Sequence, residues 1–231
     1  MKNGVDVLEN DCLHEDVLAQ LETLQLVPDR PLIISDADEV IFAFVRGLEA
    51  YLLDNGHFMD LKSFAMRGNI RNSETGEAVS AHAVKELIND YFLERTEQIE
   101  PVDGAAAALE ALAQRAQILV LSNTPLVCHE ARRRALVKNG MDYPLVANIG
   151  KKGAAVAYLA NQLRAPIFFL DDIPHNITSV ARLYGSSRPI AIDHSFCISH
   201  TTLRTRRCRR KRMIMMRSIT STIIPSGPMP P

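Results

Sequence analysis

The chain holds few of the features that would take it outside the ordinary soluble class. Cysteines number only four, at positions 12, 128, 197 and 208, with no C-x-x-C spacing and no histidine cluster beside them. That argues against a disulfide framework and a zinc site, and suits a reducing compartment. Long apolar runs are missing. Runs such as Ile167 to Leu170 fall far short of the roughly 20 residues that cross a bilayer. The opening MKNGVDVLENDC is polar and acidic, unlike a secretory leader, so no membrane association and a cytoplasmic location are expected. No internal repeat is visible. Acidic residues stop at Asp193, whereas eight basic residues fall between Arg204 and Arg217. The first 193 residues therefore carry a net charge of −9 and the tail is basic. No aromatic side chain lies among those arginines, so a stacking platform for nucleic acid is lacking and nucleic-acid binding is not expected.

What is present is a globular composition, 47% hydrophobic and 23% charged over 231 residues, enough for one or two domains with a sizeable core. Leu13, Val17, Leu18, Leu21 and Leu24 recur at helical spacing and predict an amphipathic helix within 5–27. Pro28 and Pro31 then break the chain. Leu32 to Ser35 is short, apolar and β-branched, as a buried strand should be. Residues 40–54 read as helix, 56–80 as loop or short helix, and 81–98 as helix again. From Pro101 onward the pattern is regular. An alanine-rich helix precedes the strand QILVLSN, and a basic amphipathic helix over 126–139 precedes the strand 145–149. A helix over 152–164 leads to the strand in APIFFLDD, and a helix over 174–184 to a last strand in RPIAI. Such alternation predicts an α/β fold with a parallel sheet covered on both faces. The expected organisation is an N-terminal helical extension (1–28), an α/β core (29–42 and 100–195), a helical insertion or cap (43–99) and a disordered basic tail (196–231). The abrupt change of composition at the tail is also what a frame-shifted 3′ end would produce.

Ligands of an open parallel sheet bind outside the carboxyl ends of its strands. There the sequence delivers Asp36 and Asp38 after the first strand, and Ser122 and Asn123 after the second. Lys151 and Lys152 open the helix after the third, and Asp171 and Asp172 follow the fourth. Each has an ordinary reading in isolation: a solvated turn, a helix cap, an exposed lysine pair. Together they are harder to dismiss. Two unit charges about 4 Å apart repel by roughly 4 kcal/mol at an effective dielectric near 20, so four carboxylates in one crevice call for a cation. An all-oxygen ligand set favours Mg²⁺. Asn176 is placed to tie the last acidic loop together, and His175 reads as a surface residue. Arg67 and Arg71, in the insertion, could meet an anionic substrate but read more simply as solvated.

The order of these motifs resembles the haloacid dehalogenase superfamily. Asp36-Ala37-Asp38-Glu39-Val40 matches D-x-D-x-[TV], LVLSN matches a hydrophobic strand ending in Ser or Thr, KGAAV matches K-G-x-A-[LV], and FFLDD matches an apolar strand ending in paired acids. The resemblance covers about residues 30–193. It implies a Rossmann-like core with a small helical cap inserted after the first strand, hinged near 43–46 and 98–104. It also implies a Mg²⁺-dependent phosphatase acting on a small phosphorylated metabolite. Asp36 would be the nucleophile that forms an aspartyl-phosphate, and Asp38 the acid/base. Ser122 would hydrogen-bond the phosphoryl group, with Asn123 beside it. Lys152, or its neighbour Lys151, would neutralise charge shared by Asp36 and the phosphate. Asp36, the Asp38 carbonyl and Asp172 would be direct metal ligands, with Asp171 acting through water. Dehalogenases of the superfamily lack an acid two residues after the nucleophile, so Asp38 favours phosphoryl transfer. The alternatives are a catalytically silent binding relative, a phosphomutase using the same site, and a phospho-accepting signalling domain. The last places its paired acids after the first strand, which is not the order here.

Overall fold

The computed structural model describes residues 12–60, 68–184 and 190–193. Five strands, β1 (Leu32–Ser35), β4 (Gln117–Ser122), β5 (Leu145–Ala147), β6 (Ile167–Leu170) and β7 (Ile190–Asp193), form one sheet in the order β5-β4-β1-β6-β7. Every pair in it is parallel. Strand β1 is central, and its four side chains are all buried. Burial on both faces is why LIIS reads as a continuous apolar run rather than an alternation.

Helices cover the sheet. α1 (Glu15–Glu22) and α6 (Gly153–Gln162) press Val17, Leu21, Val156 and Leu159 onto Leu32, Ile34, Leu119, Val146 and Phe169. α4 (Ala105–Ala113), α5 (His129–Lys138) and α7 (Pro174–Tyr184) complete the α/β alternation. The α/β expectation is met, with shorter elements. The opening helix occupies eight residues of the 5–27 stretch, of which 5–11 lie outside the described residues, and His14 caps its start, its Nδ1 accepting from the Asp16 N–H at 3.2 Å. The alanine-rich helix starts at Ala105, after Gly104 turns at φ 82°. The basic helix is entered through a 3-10 turn at Leu126–Cys128.

Side chains occupy the outer edge of β5. Gln20 donates from Nε2 to the Ala147 carbonyl at 3.1 Å and accepts the Ala147 N–H on Oε1 at 2.8 Å. His129 Nε2 meets the Leu145 carbonyl at 3.2 Å.

The insertion after β1 departs from the expectation of helices alone. It contains α2 (Phe44–Asp54), a two-stranded antiparallel hairpin of β2 (His57–Met59) and β3 (Ile70–Asn72), and α3 (Ala81–Arg95). The stretch 56–80 is thus partly strand rather than loop or short helix. Three-residue strands are too short to declare themselves by alternation, and Gly68 and Asn69 read as turn. Arg71 is held within the hairpin, by Asp60 Oδ2 at 3.2 Å and the Gly76 carbonyl at 2.8 Å. That accounts for it without a substrate. Arg67 and the basic tail lie outside the described residues. α2 also starts later than position 40. Residues 37–42 instead form a tight turn in which the Ile41 and Phe42 N–H groups both reach the Ala37 carbonyl at 2.8 Å.

The helices α6 and α7 meet at Gly153, whose N–H donates to Ser179 Oγ at 3.2 Å. A Cβ at Gly153 would come within 2.3 Å of that oxygen and 2.6 Å of the Ser179 carbonyl oxygen. Backbone cannot step aside as a flexible side chain can. Gly153→Ala is therefore expected to cost about 1–3 kcal/mol through overpacking, at roughly 2–4 °C of melting temperature per kcal/mol. Thermal unfolding followed by circular dichroism measures this, and an unchanged melting temperature would contradict so close an approach.

Candidate active site

Strand register brings the first acids together. Ser35 lies level with Leu170 in the parallel pair β1–β6, so the next residues, Asp36 and Asp171, leave the sheet side by side. The Asp36 N–H still donates to the Leu170 carbonyl at 2.8 Å, extending the ladder to the site. Lys152, the residue before α6, enters from the third crossover. Its Nζ sits 2.7 Å from Asp36 Oδ1 and 2.7 Å from Asp171 Oδ2, and all three side chains are buried. Lys152 is therefore the lysine between the acids. Lys151 is half-buried beside it.

The two carboxylates are held differently. Asp171 is saturated: Oδ1 accepts from the Ile173 N–H at 2.8 Å, Oδ2 from Lys152, and Asn176 Nδ2 donates to both oxygens at 3.2 and 3.1 Å. Asn176 thus ties the loop, as expected, and His175 is exposed. Asp36 has both of its partners, Lys152 Nζ and the Ala37 N–H (2.7 Å), on Oδ1. Its Oδ2 is left as the oxygen able to take a new bond. Asp172 completes the cluster. One ligand atom from each of Asp36, Asp171 and Asp172 lies within 4.8 Å of the others.

Charge is not balanced within this group. Burial pushes the Asp36 carboxyl above its ordinary range, while the Lys152 ammonium pulls it down. Burial likewise acts against the Lys152 ammonium, but Asp36 and Asp171 hold it above its usual value. One cation thus answers two carboxylates. No cation among the described residues offsets Asp172 in the same way: burial first, then the charges of Asp36, Asp171 and Glu39, push it up to about 8. Its carboxyl is therefore the one in the cluster held protonated in the absence of a cation.

Asp38 stands apart, on the turn beyond Asp36. Its Oδ1 accepts from Arg132 Nη2 at 2.7 Å, and its side chain is 22% exposed while that of Arg132 is fully buried. The turn is set by Glu39, which adopts φ 57° and accepts the Val45 N–H of α2 on Oε1 at 2.7 Å. A left-handed non-glycine residue is uncommon and marks a constrained position. From α3, Tyr91 comes near enough that burial and then the Asp38 charge raise its phenol. Gly47 permits this approach, since a Cβ there would meet Tyr91 Oη at 2.3 Å.

Ser122 is buried, and its hydroxyl is engaged by Thr124, with Oγ–Oγ1 at 2.8 Å and the Thr124 N–H donating at 3.2 Å. Asn123 braces two loops, donating to the Gly150 carbonyl at 2.7 Å and accepting from Asn148 Nδ2 at 3.0 Å. Asp36, Asp171, Asp172 and Lys152 are thus brought together, and Ser122 joins them only through the end of the neighbouring strand. Arg132 is the residue that sequence reasoning missed. The signal was available: Cys128, Arg132, Ala135 and Leu136 are the buried positions at the start and along the inner stripe of α5, and an arginine on such a stripe needs a partner.

The two unequal charge environments predict opposite stability effects in cation-free protein. The Asp172 carboxyl is raised from 3.8 to about 8 on folding. The folded state therefore holds a proton that the unfolded state has released, and stability falls as pH rises through that window. Asp172→Asn removes this penalty and should raise the melting temperature, more at pH 8 than at pH 5. Asp38→Asn strands the buried Arg132 and should lower stability by roughly 2 kcal/mol, less than a fully buried pair because one partner is partly solvated. Melting curves in chelator at the two pH values measure both, and a stabilising Asp38→Asn or a destabilising Asp172→Asn would contradict this charge distribution.

No model of a known protein family matches the chain, and no curated protein matches it. Among solved structures, it is similar to a haloacid dehalogenase-like family hydrolase from Streptococcus pneumoniae, at 11% identity and TM-score 0.45, over 65% of this chain and 80% of that one. It is also similar to a haloacid dehalogenase-like family hydrolase from Xanthomonas campestris, at 14% identity and TM-score 0.44, over 85% and 99% of the two chains. A third similar structure is a hydrolase from Deinococcus radiodurans with bound phosphate and sodium, at 17% identity and TM-score 0.40, over 73% and 93%.

Proposed function

We propose that the chain is a Mg²⁺-dependent phosphatase that hydrolyses a small phosphorylated metabolite through an aspartyl-phosphate on Asp36. The observation that carries this reading is the Lys152 ammonium bound to Asp36 Oδ1 and Asp171 Oδ2, with Asp36 Oδ2 left open and Asp172 unmatched beside them. Such a group can bind an anion's charge and attack it at the same point.

A divalent cation fits the donor set. The candidate ligands are all oxygens, and the Asp172 carboxyl, which burial and the neighbouring acids hold back from ionising, is the one whose ionisation an added cation would favour. Asp36, Asp172 and the Asp38 backbone carbonyl would hold the ion, with Asp171 contributing through water since its oxygens are already committed. When bound, Mg²⁺ supplies charge neutralisation for the cluster and for the phosphate oxygens.

The residues then divide the reaction. Asp36 Oδ2 bonds to phosphorus as the ester P–O bond breaks, and the electron pair leaves on the alcohol oxygen. Asp38 gives that oxygen its proton. In the second half, a water molecule loses a proton to Asp38 and bonds to phosphorus. The bond to Asp36 then breaks, inorganic phosphate leaves, and the carboxylate is restored. Throughout, Lys152 holds Asp36 in place and neutralises charge that passes between the carboxylate and the phosphoryl group. Asp171 orients Lys152, while Asn176 and the Ile173 N–H fix Asp171. Ser122 can donate its own proton to a phosphoryl oxygen while its lone pairs accept from Thr124. Asn123 braces the adjoining loops. The insertion brings Tyr91 near Asp38, which suits a substrate small enough to lie beneath it.

Purified protein with Mg²⁺ should release phosphate from 4-nitrophenyl phosphate and stop when the metal is chelated. Asp36→Asn should reduce turnover by several orders of magnitude. Phosphate-release assays with a screen of phosphorylated metabolites would identify the physiological substrate. Robust turnover by Asp36→Asn would remove Asp36 as nucleophile.

A further inference from the structure

We infer that Arg132 is a positioning residue for Asp38, and that through Thr124 it couples the acid/base to Ser122. The inference rests on the phosphatase reading, which assigns Asp38 its proton-transfer role. It adds a residue outside the four motifs.

The guanidinium is fully buried on α5 and is fixed from several sides. Nη2 donates to Asp38 Oδ1 at 2.7 Å, and Nε donates to Thr124 Oγ1 at 3.1 Å. The Phe42 ring lies under it, 5.0 Å from Cζ to the ring centroid. Phe42 belongs to the same turn as Asp38, so the arginine grips that turn by a ring face as well as by a carboxylate. The donors are directional. An arginine only donates, so Thr124 Oγ1 accepts from it and has its own proton to give to Ser122 Oγ, 2.8 Å away. A continuous chain Asp38–Arg132–Thr124–Ser122 therefore joins the ends of β1 and β4.

A bland structural ion pair is a poor account of this arrangement. Burying an arginine against a single carboxylate that is itself 22% exposed is a weak way to stabilise a fold, and Nη1 is left buried with no hydrogen-bond partner. What the pairing achieves is geometric. One oxygen of Asp38 is tethered, so the partly exposed carboxylate cannot swing out toward solvent, and Oδ2 is left to handle the proton. Proton transfer needs the acid within hydrogen-bond reach of its target.

The test separates the two halves of the reaction. In 4-nitrophenyl phosphate the leaving group departs without a proton, so loss of Asp38 placement spares the first half and slows the second. Arg132→Gln should give a burst of nitrophenol equal to the enzyme present, then steady turnover about 100-fold below wild type. Phosphorylated Asp36 should accumulate, detectable by mass spectrometry after acid quench. Asp38→Asn should show the same signature, and the double variant should be no slower than Asp38→Asn alone. A loosened fold would slow both halves without accumulation. If Arg132→Gln melts below the assay temperature, Thr124→Val keeps the arginine and removes its orienting acceptor, and it should still accumulate phosphoenzyme. Folded variants that lack accumulation, while wild type turns over, would overturn the role of Arg132. Wild type with neither turnover nor phosphoenzyme would instead remove the phosphatase reading, and this inference with it.

Discussion

A single buried ammonium organises the site. Lys152 lies between Asp36 and Asp171, and those carboxylates could not share a buried space at the sheet edge without it. Desolvation makes the requirement strict: an isolated charge removed from water costs several kcal/mol, and the cost is offset only when partners are close and hydrogen-bonded. Each surrounding feature follows from that constraint. Asp171 is immobilised by Asn176 and the Ile173 N–H, so its anion can serve as the fixed end of the triad. Gly153, the residue after Lys152, lets α6 lie against α7, which brings the head of α6 to the sheet. Asp36, held through one oxygen, keeps the other available.

The second cation works on a different scale. Lys152 sits among rigid strand ends, whereas Arg132 reaches a turn whose shape depends on a left-handed Glu39 and on the start of the insertion. The two acids that would share the chemistry are therefore supported separately, one by the sheet and one by α5. Such a division ties the Asp38 turn to the insertion, through Glu39 and the nearby Tyr91, and Asp36 to the sheet.

Much of this was legible in the sequence, for identifiable reasons. Residues at strand ends are placed by the strand, so Asp36, Asp171 and Asp172 could be read from the apolar runs that precede them. Lys152 could be read as one of a pair but not told from Lys151, because the choice turns on the exact first residue of α6, the least certain feature of any sequence-based assignment. Arg132 was obscured by its neighbours Arg133 and Arg134: three consecutive arginines suggest a solvated face, and only the phase of the stripe through Cys128, Ala135 and Leu136 marks the inward one. The hairpin of the insertion was hidden for a different reason. Its strands are held by backbone pairing and by the burial of Ile70, neither of which leaves a periodic trace in three residues.

The treatment of β5 bears on how the protein behaves in company. A border strand offers unpaired amide and carbonyl groups to any extended chain that passes, which is the usual opening for sheet-to-sheet association. Here Gln20 imitates a neighbouring backbone at Ala147, and His129 occupies the Leu145 carbonyl. The molecule has thus closed that border from within, using side chains of two helices, and a newcomer could extend the sheet there only by first evicting them.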